Sequence, residues 1–138
     1  MDTAKRLYIY GIKEHNMDVI RKIYANKIED IDIQNIGCHW TSDESVLTRS
    51  GAFGYTSAEG SIEYRVYATV EESYIDQLAT DFSNDRYPSE KEVVLLKNVK
   101  LSVTIWNREI GEDEYIGEAN TGTRNEKWVD NFHNGVTD

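Results

Sequence analysis

Apolar and polar positions alternate with more than one period along the chain, and each change of period predicts a change of element. Arg6 to Ile12 (RLYIYGI) is rich in aromatic and β-branched residues and runs into Gly11, which predicts a first strand. From Asn16 the spacing becomes helical: Val19, Ile20, Ile23, Tyr24 and Ile28 form a stripe behind Asn16 as N-cap, predicting a helix from about Met17 to Lys27. Ile31 and Ile33 alternate with Asp32 and Gln34, a short strand before Gly37, and Ser42 or Asp43 can cap a short helix ahead of Val46 and Leu47. Ser50 to Ser61 holds three glycines and reads as a loop, and Ile62 to Ala68 alternates cleanly as a strand. Glu72 to Ala79 reads as a short helical or irregular segment, and Thr80 to Ser89 as a polar loop carrying the only proline. Glu92 to Leu96 and Lys100 to Trp106 read as strands, forming a hairpin or one strand interrupted near Asn98. A turn at Gly111 to Glu114 and a short strand at Tyr115 to Glu118 follow. The tail is polar from about Asn120, with Trp128, Val129 and Phe132 able to dock on the body. The order β-α-β-(α)-β-loop-β-β-β predicts an α+β domain dominated by short strands.

The length of 138 residues suits a single domain over 1–138, with a core but not two. Charge narrows the choice of partners. Asp and Glu number 25 against 15 Lys and Arg, a net charge of -10, so nucleic acid and anionic membranes are poor partners. A small anionic cofactor remains compatible, since local donors can hold it. The carboxylates are interleaved with Lys and Arg, which weakens a reading as an imitation of a nucleic-acid backbone. A lone Cys38 excludes an internal disulfide, and no Cys/His spacing resembles a metal site. With no apolar leader and no spanning stretch, a cytoplasmic protein is expected.

Candidate chemistry concentrates at Tyr87-Pro88-Ser89-Glu90-Lys91-Glu92-Val93-Val94. In an extended strand Glu90 and Glu92 leave one face, their Cα atoms roughly 6.5–7 Å apart. Entry into the apolar run places Glu92 between solvent and core, where a carboxylate needs a donor or shifts its pKa. Taken alone, such a pair is an ordinary solvated strand end.

Its neighbours carry more. Ile62-Glu63-Tyr64-Arg65-Val66, Ser73-Tyr74-Ile75, the segment Asp81 to Ser89, Glu90-Lys91-Glu92-Val93-Val94-Leu95-Leu96 and Lys100 to Val103 follow in order. This succession resembles the C-terminal half of the mono-ADP-ribosyltransferase family. Trp40-Thr41-Ser42, followed by Ser45-Val46, resembles that family's serine motif, with Thr56-Ser57 as a second candidate; Tyr8-Ile9-Tyr10-Gly11 resembles the first-strand motif in shape. Tyr10 stands where the family carries an arginine or histidine.

The resemblance implies an ADP-ribosyltransferase-like fold, with short antiparallel or mixed strands in two packed sheets and few helices. It also implies transfer of ADP-ribose from NAD, as co-substrate, to a protein acceptor, with an arginine side chain favoured. On that basis Glu92 stabilises the oxocarbenium-like transition state, Ser42 orients Glu92, and Glu90 addresses the acceptor. Tyr10, Gly11, Trp40, Thr41 and Arg49 would meet the cofactor, while Phe82, Arg86 and Tyr87 would meet the acceptor. His39 is the one histidine near the presumed site, and a structural role suits it better than catalysis. Two alternatives stand beside the enzyme: a catalytically impaired relative that binds a nucleotide or a protein, and an acidic inhibitor or interaction protein, viral for instance.

Overall fold

The computed structural model describes residues 16–48 and 62–123. The expected first strand, the glycine-rich loop and most of the polar tail lie outside the described residues, as do Tyr10, Gly11 and Arg49. What is described is a small α+β domain built on one antiparallel six-stranded sheet with a single α-helix among the described residues. Among the described residues there is one sheet, and the expected pair of packed sheets is not seen in them.

The strands are β1 (Asn16–Ala25), β2 (His39–Thr41), β3 (Ile62–Glu71), β4 (Glu92–Val94), β5 (Lys100–Asn107) and β6 (Glu112–Asn120). They lie in the order β4-β2-β1-β3-β5-β6. The expected helix at Met17 to Lys27 is instead strand β1, paired with β3 along its whole length from Asn16↔Glu71 to Ala25↔Ile62. Helical spacing misled because both faces of this strand are covered and buried Arg21 and Lys22 interrupt the apolar alternation. The expected strand at Ile31 to Asn35 is also absent. Asp32 accepts a hydrogen bond from the Gln34 N–H and folds Ile33–Asn35 into a 3-10 turn. β4 and β5 are neither a hairpin nor one strand, because β4 pairs with β2 and β5 with β3.

One sheet face carries the core. Val19, Tyr64, Val66, Val70, Trp40, Val93, Leu101, Val103 and Ile105 belong to a single buried cluster. The sheet curls around this face until its ends meet: the Ile36 and Gly37 N–H groups donate to the carbonyls of Asn120, the last residue of β6, and of Thr121 just past it. Gly37 has φ +106°, and the Arg21 guanidinium lies 2.7 Å from where a Cβ would stand, so glycine is required twice over.

The opposite face is covered in two places. The 3-10 turn Glu44–Thr48, where a short helix was expected, lies over β1 and β3. The helix α1 (Gln77–Arg86) covers β4; its first residues fall at the end of the expected short helical or irregular segment, and the rest, from Thr80, in the expected polar loop. Asp76 caps α1 by accepting from the Ala79 N–H at 3.1 Å. The residues α1 buries are Ala79, Thr80 and Ser83 while Leu78 is exposed, so its sequence lacks the apolar stripe that announces a helix.

Candidate functional site

Glu92 opens β4, directly across from Thr41 of β2. Residues about fifty positions apart, from the serine-motif segment and the paired-glutamate segment, therefore lie side by side. The Thr41 hydroxyl ties the two by donating to the backbone carbonyls of Glu90 (2.8 Å) and Lys91 (3.1 Å). The Asp43 N–H donates in turn to that hydroxyl. Thr41 is thus a fully buried brace between β2 and the chain entering β4.

The Glu92 side chain does not face an open cleft. Its carboxylate is hydrogen-bonded to the Ser83 hydroxyl from α1 at Oε1 and to the His39 imidazole at Oε2 through Nδ1. Glu92 is 3% exposed, His39 6% and Ser83 0%. Two partners, one per oxygen, supply what a buried carboxylate requires to remain in the interior. Ser83 and His39 both address the carboxylate, not each other, so this is not the serine–histidine relay of a hydrolase. No group of acidic, histidine or cysteine side chains suited to a metal ion occurs among the described residues.

Several expectations require correction here. Ser42 does not orient Glu92: it follows β2 and is exposed, and Ser83 and His39 occupy both Glu92 oxygens. Glu90 and Glu92 are not consecutive positions on one strand face. Pro88–Glu90 forms a 3-10 turn, and Lys91 enters the left-handed region at φ 47°, breaking the pleat between the two glutamates. Trp40 is fully buried in the core cluster on the other sheet face, its Nε1 donating to the Gly37 carbonyl, so it covers no pocket beside Glu92.

Phe82, Arg86 and Tyr87 do come together. They lie on α1 and its C-cap, with the Arg86 guanidinium carbon 5.4 Å from the Phe82 ring centre and 6.0 Å from that of Tyr87. These are cation–π contacts at the surface.

His39 stands near the presumed site in the sequence, where a structural role suits it; Ser83 falls in a segment whose pattern is that of a loop, and is the partner the sequence does not announce. The one signal for it is the helical spacing of small and polar residues, Thr80 with Asn84 and Ala79 with Ser83, behind the capping residue Asp76.

α1 also closes the sheet at β4. Thr80 Oγ1 accepts from the Val94 N–H at 2.9 Å and donates to the Val94 carbonyl, while Asn84 Nδ2 donates to the Glu92 carbonyl at 3.0 Å. The Asp76 N–H takes the Val94 carbonyl as well, at 2.8 Å. Side chains of the helix therefore stand in for a neighbouring strand.

A second polar cluster lies under the Glu44–Thr48 turn. Arg65 donates to Glu63 and Glu44, the Tyr67 hydroxyl donates to Glu44, and Lys22 Nζ donates to the Leu47 carbonyl at 2.9 Å. Burial opposes the Arg65 charge, but its hydrogen bonds to Glu63 and Glu44 outweigh it and raise the pKa. Burial lowers the Lys22 pKa, with Glu63 opposing. Burial and then Glu44 push the Tyr67 hydroxyl up. Beside this cluster lies a cleft of about 540 Å³ bounded by Asp18, Glu44, Tyr67, Thr69 and Thr104, and no residue of the Glu92 cluster lines it.

The fold and this site define a small α+β domain with one curled antiparallel sheet and a buried carboxylate clasp. No protein-family profile, no curated protein and no solved structure matches the chain. No helix among the described residues is long and apolar enough to cross a membrane.

Proposed function

We propose that this chain is an acidic protein-binding domain, a catalytically impaired relative of ADP-ribosyltransferases in which the glutamate of the catalytic pattern has become a structural clasp. One observation carries this reading: the Glu92 carboxylate is shut between Ser83 and His39 beneath α1, with no access for a ribose. A transferase carboxylate must face the sugar ring where positive charge develops, and a carboxylate with both oxygens engaged on a residue only 3% exposed does not face one. The net charge of -10 favours a basic protein as partner.

Calorimetric titration with NAD tests the reading: no binding is expected. Reconstitution with a purified partner is expected to show defined stoichiometry and an affinity that falls with salt. NAD binding at a single site would overturn it.

One observation favours a second reading, ADP-ribosyl transfer from NAD to a protein. The Trp40-Thr41-Ser42 segment and Glu92 are neighbours across β2 and β4, as the family resemblance requires. This reading needs α1 to leave Glu92, exposing the carboxylate while Phe82, Arg86 and Tyr87 meet the acceptor. Labelled NAD decides between the two.

A further inference from the structure

The two edges of the sheet are treated differently. β4 is three residues long, and Thr80, Asn84 and Asp76 satisfy its outward backbone groups. β6 is nine residues long, and among the described residues no strand pairs with its outer side. Among the described residues its C-terminal end is taken, by the Ile36 N–H donating to the Asn120 carbonyl and by the Ile33–Asn35 turn that lies against the strand. Backbone direction alternates along a strand, so Ile116 and Glu118 turn their N–H and C=O groups outward as Asn120 does. The Tyr115 hydroxyl donates to the outward Glu118 carbonyl at 2.7 Å, a local substitute for a missing neighbour. Ile116 is 75% exposed. A long unpaired edge of this kind is a template for another strand.

Charge selects the occupant. β6 carries Glu112, Asp113, Glu114 and Glu118 and no basic residue. A second copy of the chain is a poor fit. In an antiparallel two-fold pairing centred at or between Tyr115 and Ile116, Glu118 of one copy faces Glu112, Asp113 or Glu114 of the other. Like charges directly opposite destabilise a ladder.

We propose that β6 is the docking edge for an extended, lysine- or arginine-bearing strand of a different protein, which adds to the sheet as a seventh strand. The proposal rests on the protein-binding reading and names the surface and the form of its partner. Basic side chains of the incoming strand face the β6 carboxylates, its backbone pairs with Ile116 and Glu118, and an apolar residue covers Ile116.

The test uses the whole chain and a peptide of alternating lysine and threonine about as long as β6, with a valine in place of its central lysine to cover Ile116. Amide resonances are followed by NMR, and affinity by fluorescence anisotropy. The expected result is slowed hydrogen exchange at the Ile116 and Glu118 amides and a chain that stays monomeric alone. Asp113→Lys combined with Glu118→Lys, both exposed and so compatible with folding, is expected to weaken binding at least tenfold. A matched glutamate–threonine peptide is expected not to bind. Shifts confined to other surfaces, no protection at β6, or self-association through β6 would overturn the proposal. If a purified natural partner binds with equal affinity to wild type and to the double variant, the edge assignment fails while the protein-binding reading stands. If the chain instead binds NAD, that reading fails.

Discussion

Glu92 meets a hydroxyl at one carboxylate oxygen and an imidazole at the other, and these two partners set the energetics of the residue. Removing the Ser83 hydroxyl leaves one buried carboxylate oxygen without its donor. Ser83→Ala should therefore lower stability by about 1–3 kcal/mol in urea unfolding. Ser42→Ala, at an exposed position, should change it by less than about 0.5 kcal/mol. Equal effects at the two serines would contradict the clasp. Lys22 offers a pH test. Its folded-state pKa lies below the ordinary 10.5, so between the two values the unfolded chain binds more protons. The Lys22 contribution to stability is therefore least favourable at low pH and improves as pH rises through the lowered pKa towards 10.5. The denaturation midpoint of wild type should rise relative to that of Lys22→Met over that alkaline window, and parallel profiles would show that Lys22 is not the titrating group. Of these residues the sequence pointed to Glu92, because an acidic residue entering an apolar run needs a partner. It could not point to Ser83, whose role depends on a helix crossing the strand.

At the scale of elements, α1 and β1 were misread for related reasons. Hydrophobic period reports a face only when that face buries apolar side chains. α1 buries small polar residues whose hydroxyl and amide groups complete the β4 edge, and β1 buries Arg21 and Lys22, whose polar ends find the His39 and Leu47 carbonyls. β3 and β5 are legible because they alternate against one apolar core and a more polar face, whereas β6 is legible only in its middle: Glu112–Glu114, expected as a turn, already belong to the strand. The neighbourhood of β2 and β4 was anticipated through the family resemblance alone, and the side-chain geometry within it was not. Thr80 is the element-level test. Its hydroxyl bonds both the N–H and the C=O of Val94, so the near-isosteric Thr80→Val should cost about 1–3 kcal/mol. Hydrogen exchange at the Val94 amide should quicken in the variant, and unchanged exchange would mean that α1 does not seal that edge.

Taken together, the described residues form a sheet that curls over its core, with a helix sealing one edge and the charged strand β6 forming the other. The proposed recognition role rests on this contrast: the polar centre at Glu92 is closed, while the outer side of β6 pairs with no strand among the described residues. The central claim is that Glu92 holds the fold and does no chemistry. Incubation with labelled NAD and a cell lysate measures this most directly. Wild type is predicted to transfer no more label to protein than Glu92→Gln does, and label transfer by wild type that Glu92→Gln abolishes would contradict the claim.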